Sequence, residues 1–177
     1  MPHNFEMPQE YVNRMVERLG REHVQKTLKT DKTALVVVDM QNYFLDESQL
    51  AGCPVGQTIV GNVNRMAGVV RQTGGMVIWL QNFIPDHSTE TWTTAHERYS
   101  SENQEVRLKS MKPGKWPFEF WPTLDLREED HQIIKRRYSA FIQGSSDIEL
   151  ILMDNGLENI LLCGVADRKS KRLNSSH

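Results

Sequence analysis

A chain of 177 residues, 38% hydrophobic and 25% charged, has the composition of one globular domain able to bury a core. Its 21 basic and 23 acidic residues leave a formal net charge of -2, which gives no electrostatic ground for a nucleic-acid or anionic-membrane partner. The apolar runs fall far short of the ~20 residues of a membrane-spanning helix, no signal pattern opens the chain, and Cys53 and Cys163 alone make neither a disulfide framework nor a thiolate zinc site, so a cytoplasmic protein is expected.

Within residues 8–28, Tyr11, Val12, Met15, Val16, Leu19, Val24 and Leu28 recur at mostly three- or four-residue spacing. That spacing predicts an amphipathic helix, expected to dock on its own domain, with another subunit as the alternative. After a polar link at 29–32, the continuous apolar run at 34–38 reads as a strand covered on both faces in a parallel sheet. Ile59, Val60, Val63, Met66, Ala67 and Val70 predict a helix over 57–72, stopped by Gly74 and Gly75, and residues 76–80 predict a second buried strand. Strand, helix and strand make a βαβ unit. Residues 83–129 hold a possible helix at 93–109 and an aromatic loop from Trp116 to Trp121; a lid or binding loop and a packed surface insertion stand equal for this excursion. A third strand is predicted at 132–135 and a fourth at 159–164, separated by a short helix that opens on the capping-box form Ser146 to Glu149 and ends near Asn155 and Gly156. The fold class is α/β, a doubly wound parallel sheet.

Ligands of open parallel sheets bind outside the carboxyl ends of the strands. The residues there are Asp39, Gln81 with Asn82, Lys135, and Gly164 with Val165 and Ala166. An aspartate and a lysine in a partly dry cleft favour each other's charged form while burial opposes both charges. Beside a thiol, such a pair can take its proton and hold the thiolate. Taken singly, Asp39 reads as a turn-capping carboxylate and Lys135 as a solvated lysine. An aspartyl phosphatase of the haloacid dehalogenase type would need a second carboxylate two residues beyond Asp39, where this chain has Gln41. A non-catalytic binding protein, with Asp39 and Lys135 as a structural ion pair, is the other alternative. No glycine-rich phosphate loop appears, and no cofactor is expected.

The segments V-V-V-D-M-Q-N around Asp39, W-L-Q-N ending at Asn82, I-I-K-R-R-Y-S-A-F around Lys135 and L-L-C-G-V-A ending at Ala166 occur in this order. Together they resemble the isochorismatase-like cysteine hydrolases, a family that includes nicotinamidases, N-carbamoylsarcosine amidohydrolases and ureidoacrylate amidohydrolases. The resemblance runs over about residues 34–166 and implies a three-layer fold with the parallel sheet between helices. It implies Asp39 as base, Lys135 as its electrostatic partner, and a cysteine that attacks a small carboxamide or ureido carbonyl. An oxyanion hole is implied near Val165 and Ala166, often with a cis non-proline bond there. Phe44, Trp79, Asn82 and Tyr138 are the expected substrate contacts, with Trp116 or Trp121 able to close the site. Asp86, His87 and His96 lie roughly where metal-binding nicotinamidases carry ligands, but Asp86 next to His87 departs from their spacing, and no metal is expected. The full-length protein is expected to be a homo-oligomer.

The family continues after Gly-Val-Ala with Thr-Asn-Val-Cys, whereas this chain has Asp167, Arg168, Lys169 and Ser170. Ser170 therefore occupies the nucleophile's slot. Cys163 precedes the turn and reads as a small core residue, and Cys53 is no better placed. The polar tail, residues 167–177, closely matches the translation of a sequencing-library adapter, Lys171 being the one departure, and is expected to be non-native. The expected organisation is a helix and link at 1–32, a partial hydrolase domain at 33–166 lacking its last strands and helices, and this tail. Such a chain is expected to be inactive, with an open final strand that lowers its solubility.

Overall fold

Thr33 and the five aliphatic residues that follow it leave no polar face, so strand β1 (Thr33–Val38) is buried along its whole length. The computed structural model describes residues 6–23, 26–88 and 92–166. Around β1 it places β2 (Met76–Asn82), β3 (His131–Lys135) and β4 (Asn159–Gly164) in one sheet of order β3-β2-β1-β4. Every pairing is parallel, with Val37 opposite Trp79 and Cys163, and Asn82 opposite Lys135. The carboxyl ends of all four strands therefore lie on one side of the sheet.

Two apolar layers sandwich the sheet. On one face, Leu35, Val37, Val77 and Trp79 pack with Val60, Val63, Ala67 and Val70 of a helix at Val60–Gln72 and with Leu124, just beyond the aromatic loop. On the other, Ala34, Val36, Val38, Ile78, Leu80 and Ile133 pack with Ile148 and Leu152 of a helix at Ile148–Asp154. In chain order the helices are α1 (Gln9–Leu19), α2 (Asn42–Leu45), α3 (Val60–Gln72), α4 (Thr93–His96), α5 (Ser101–Ser110) and α6 (Ile148–Asp154). Among the described residues no helix is long and apolar enough to cross a membrane.

Several expectations need correction. Helix α1 stops at Leu19, with Gly20 in the left-handed conformation at φ 67°, and buries none of its residues, so its apolar face is not docked on the domain. The helix expected over 57–72 begins as a 3-10 turn at Pro54–Ile59, where the ring of Pro54 suits a first-turn position. The single helix expected at 93–109 is two, α4 and α5, because the Ser100 hydroxyl accepts from the Asn103 backbone N–H and starts a new helix. The capping box at Ser146 is not formed. Its hydroxyl donates to the Ala140 carbonyl and accepts from Ile148 N, and α6 begins beyond Asp147.

One polar network is built into the α3 side. Arg71 donates to both carboxylate oxygens of Asp130, through Nε at 2.8 Å and Nη2 at 2.6 Å, and the Trp79 indole and the Arg127 backbone N–H donate to the same carboxylate. Burial pushes the Asp130 carboxyl up, but these donors outweigh it and hold it below the usual carboxylate range. A depressed folded-state value means that the stabilisation is present above the unfolded-state value and is lost as pH falls through the folded one. Asp130→Asn is therefore expected to cost about 2 kcal/mol at neutral pH. Its urea midpoint should also vary less than the parent's as the pH is lowered, and equal pH slopes would contradict the assignment.

Strand β4 forms one edge of the sheet, with Ile160 45% and Leu162 51% exposed. Residues 167–177, Ser170 included, lie outside the described residues.

Candidate active site

The site starts from where β1 stops. Asp39 leaves the strand with φ 55°, the left-handed region that aspartate and asparagine tolerate best among residues with a side chain, while its N–H still donates to the Leu80 carbonyl. This turn sets the carboxylate across the carboxyl ends of the strands toward the last residue of β3. Asp39 Oδ2 lies 3.0 Å from Lys135 Nζ, with side-chain exposures of 5% and 2%. The ammonium also donates to the Tyr138 carbonyl at 3.2 Å, so it is held from two sides. Each charge of this pair has lost its water, a cost that their mutual attraction and the added hydrogen bond must offset.

A cavity of about 40 Å³ opens on the pair. Phe44, Asn82, Tyr138 and Ala166 line it. Trp79 does not. Its side chain is fully buried on the α3 face and its indole donates to Asp130, because strand alternation turns position 79 away from the cavity. Val165 N donates to the Val38 carbonyl and Ala166 has φ 59°, but no peptide bond among the described residues is cis, so the cis turn expected at Val165 and Ala166 is absent. A non-proline cis bond costs ~3–4 kcal/mol and exists only where the surroundings enforce it. Gly164 permits the close approach of β4 to β1: a Cβ there would stand 2.2 Å from the Val38 carbonyl oxygen.

The long excursion divides its work. Its aromatic end packs on the core: Phe118 stacks edge-on with Phe83, Phe120 bridges to Gln41, and Trp121 joins the α3-side cluster, while Trp116 is exposed. Neither Trp116 nor Trp121 lines the cavity. Gln41 ties this loop to the sheet, donating to the carbonyls of Phe118 and Asn82 and accepting from Asn82 N. The helical end of the excursion does reach the cavity, through Tyr99, Arg107 and Met111. These residues and Tyr43 were not legible in advance. The available signal was Arg107 beside Leu108 near the end of α5, one turn before Met111.

The remaining candidates separate. Cys163 faces the α3-side core and burial pushes its thiol up to about 11, so it is an inert thiol; Cys53 is exposed in a loop. Asp86 pairs with Lys112, and His96 is 5% exposed, its imidazole held low by burial and by the charge of Arg107. Among the described residues no three His, Cys, Asp or Glu side chains cluster as metal ligands. Burial raises the Tyr43 hydroxyl to about 12 against the opposing charge of Arg107, so it stays protonated.

A parallel α/β sheet with a buried Asp–Lys pair beside a cavity at its carboxyl ends has the arrangement in which open α/β proteins bind their ligands. The isochorismatase domain model matches residues 33–167. The chain belongs to the isochorismatase family. It is 28% identical over 153 residues, 79% of the chain, to ureidoacrylate amidohydrolase RutB of Klebsiella variicola. It is 33% identical over 134 residues, 75% of the chain, to an Arabidopsis thaliana protein named as a probable inactive nicotinamidase. It spans 64% and 65% of the lengths of these two relatives. Among solved structures, a cysteine hydrolase from Pseudomonas syringae pv. phaseolicola superposes with a TM-score of 0.68 at 22% identity, over 81% of this chain and 63% of the other, which establishes the shared fold.

Proposed function

We propose that the chain carries the aspartate and lysine of an amidase-type cysteine hydrolase acting on the C–N bond of a small carboxamide or ureido compound. The buried Asp39–Lys135 pair, 3.0 Å apart at the mouth of a cavity, carries the reading. In this reading Asp39 takes the thiol proton and Lys135 holds the resulting thiolate. The thiolate attacks the carbonyl carbon, and the backbone N–H groups of Ala166 and of the residue that carries the thiol donate to the developing oxyanion. The proton passes from Asp39 to the departing nitrogen, which leaves as ammonia or an amine. Water, deprotonated by the same carboxylate, then cleaves the thioester. The relative named a ureidoacrylate amidohydrolase supports this substrate class.

The thiol belongs four residues beyond Ala166, where this sequence has Ser170. Neither Cys53 nor Cys163 lines the cavity, which favours a second reading for the chain as written: it binds ligand without turning it over. Release of ammonia from a panel of ureido and carboxamide compounds tests both. The 177-residue chain is expected to give none. The source gene is expected to read through Ala166 into a cysteine codon four residues later, and that protein to release ammonia, with Asp39→Asn lowering kcat about a thousandfold. Turnover by the chain lacking the thiol, or full activity in Asp39→Asn, would overturn the mechanism.

A further inference from the structure

Tyr43 is 3% exposed and lines the cavity that opens on the Asp39–Lys135 pair. Its hydroxyl is buried and has no hydrogen-bond partner among the described residues, which is uncommon for a buried polar group. The ring is fixed from several sides: it packs with Ile84 and Met111 in a small apolar cluster, and Phe44 meets it edge-on with ring centres 5.1 Å apart. The hydroxyl is therefore held in place rather than free to swing toward a partner. Arg107 stands beside it, but a guanidinium has only N–H donors, so toward Arg107 the phenol oxygen can act only as an acceptor. Burial pushes the hydroxyl up to about 12, so the proton stays on and the group is a donor at neutral pH. Helix α2 carries Tyr43 directly behind the turn at Asp39, and donor and ion pair thus sit on one continuous stretch of backbone.

We infer that Tyr43 is a specificity-determining residue whose hydroxyl donates to an acceptor oxygen in the tail of the bound compound, so that the cavity takes amides or ureas with a polar tail in preference to those with an alkyl tail. This rests on the hydrolase reading for the amide or ureido end, which faces Asp39 and Lys135. An alkyl tail against the same wall leaves the donor unpaired where water has been excluded, and a buried hydroxyl left unpaired is the costly case. A site that holds a polar group discriminates most strongly against the ligand that fails to pair it, whereas a methylene gained or lost counts for little. Tyr43 takes no part in the bond-breaking steps; it selects and orients the compound.

Calorimetric titration of the 177-residue chain with N-(2-methoxyethyl)urea and N-butylurea at pH 7 tests this. The two are neutral and of equal chain length, and differ in one ether oxygen, which accepts a hydrogen bond and donates none. The ether is expected to bind about fivefold more tightly. Tyr43→Phe, which removes the hydroxyl and keeps the ring, should bring the ether down to the alkyl compound without weakening the latter. Because the hydroxyl makes no bond in the free protein, Tyr43→Phe should melt no lower than the parent; a tyrosine held for structure would melt lower and lose both ligands alike. Equal binding of the two ureas by the parent, or a preference that survives Tyr43→Phe, would overturn the inference and leave the hydrolase reading in place. Binding of neither would overturn both. Failure of the hydrolase reading alone looks different: the ether preference is present and is lost in Tyr43→Phe, while a protein carrying the cysteine releases no ammonia.

Discussion

Lys135→Met is expected to lower the unfolding free energy by about 3–5 kcal/mol, read as a fall in urea midpoint at unchanged slope. The Asp39 carboxylate would be left in a region where its side chain is 5% exposed, without the ammonium 3.0 Å away. It has the choice of staying charged without that ammonium or binding a proton at neutral pH, and either is unfavourable. The reciprocal variant, Asp39→Asn, strands the ammonium but keeps a residue suited to φ 55°, so its cost is electrostatic rather than conformational. The double variant should recover a large part of either single loss, because no charge then remains buried alone. A double variant as unstable as the sum of the singles would show that the two groups act independently and that the pair is not the organising contact of the site.

Gly164→Ala should be at least as damaging, about 4 kcal/mol or more, and it acts without touching a charge. The residue sits at φ 118°, and an added Cβ would meet the Val38 backbone at 2.2, 2.6 and 2.9 Å from its oxygen, nitrogen and carbon. Backbone atoms cannot rotate out of the way as a side chain can. Relief requires β4 to move away from β1, which breaks the bond from Val165 N to the Val38 carbonyl and shifts Ala166 at the cavity wall. Hydrogen exchange should report it: the amides of β4 and Val165 lose protection while those of β2 and β3 keep theirs. A variant as stable as the parent would mean that the two strand ends are looser than this packing implies.

The four strands were legible because parallel strands buried on both faces carry continuous apolar runs, and Asp39 and Lys135 because strand ends are where such sheets place chemistry. The same continuity hid the direction of Trp79. A run that is apolar at every position does not reveal which face each residue takes, so a core tryptophan and a site tryptophan look alike. Arg107 was hidden for the opposite reason. On a short helix rich in charged residues a single arginine reads as solvated, and only the packing of α5 against Tyr43, Ile84 and Tyr99 around one cavity reveals that it has lost its water. The apolar stripe of α1 was correctly read as amphipathic, yet amphipathicity does not identify what covers the face, and the domain does not. The peptide bond at Val165 and Ala166 depends on what surrounds it rather than on the two residues themselves.

Strand β1 is flanked by β2, the next strand along the chain, and by β4, in which Thr33 finds Asn159 and Val38 finds Gly164. During synthesis the first flank is satisfied early, whereas the second stays open until nearly the whole described chain has emerged. Such sequence-distant parallel pairing forms slowly, because a long loop must close before the contacts reward it. Until then the most apolar strand of the protein presents an unpaired edge to its neighbours and to other nascent copies. The central position that gives β1 its burial in the finished molecule makes it the segment most dependent on timing, and on protection, while the molecule is being made.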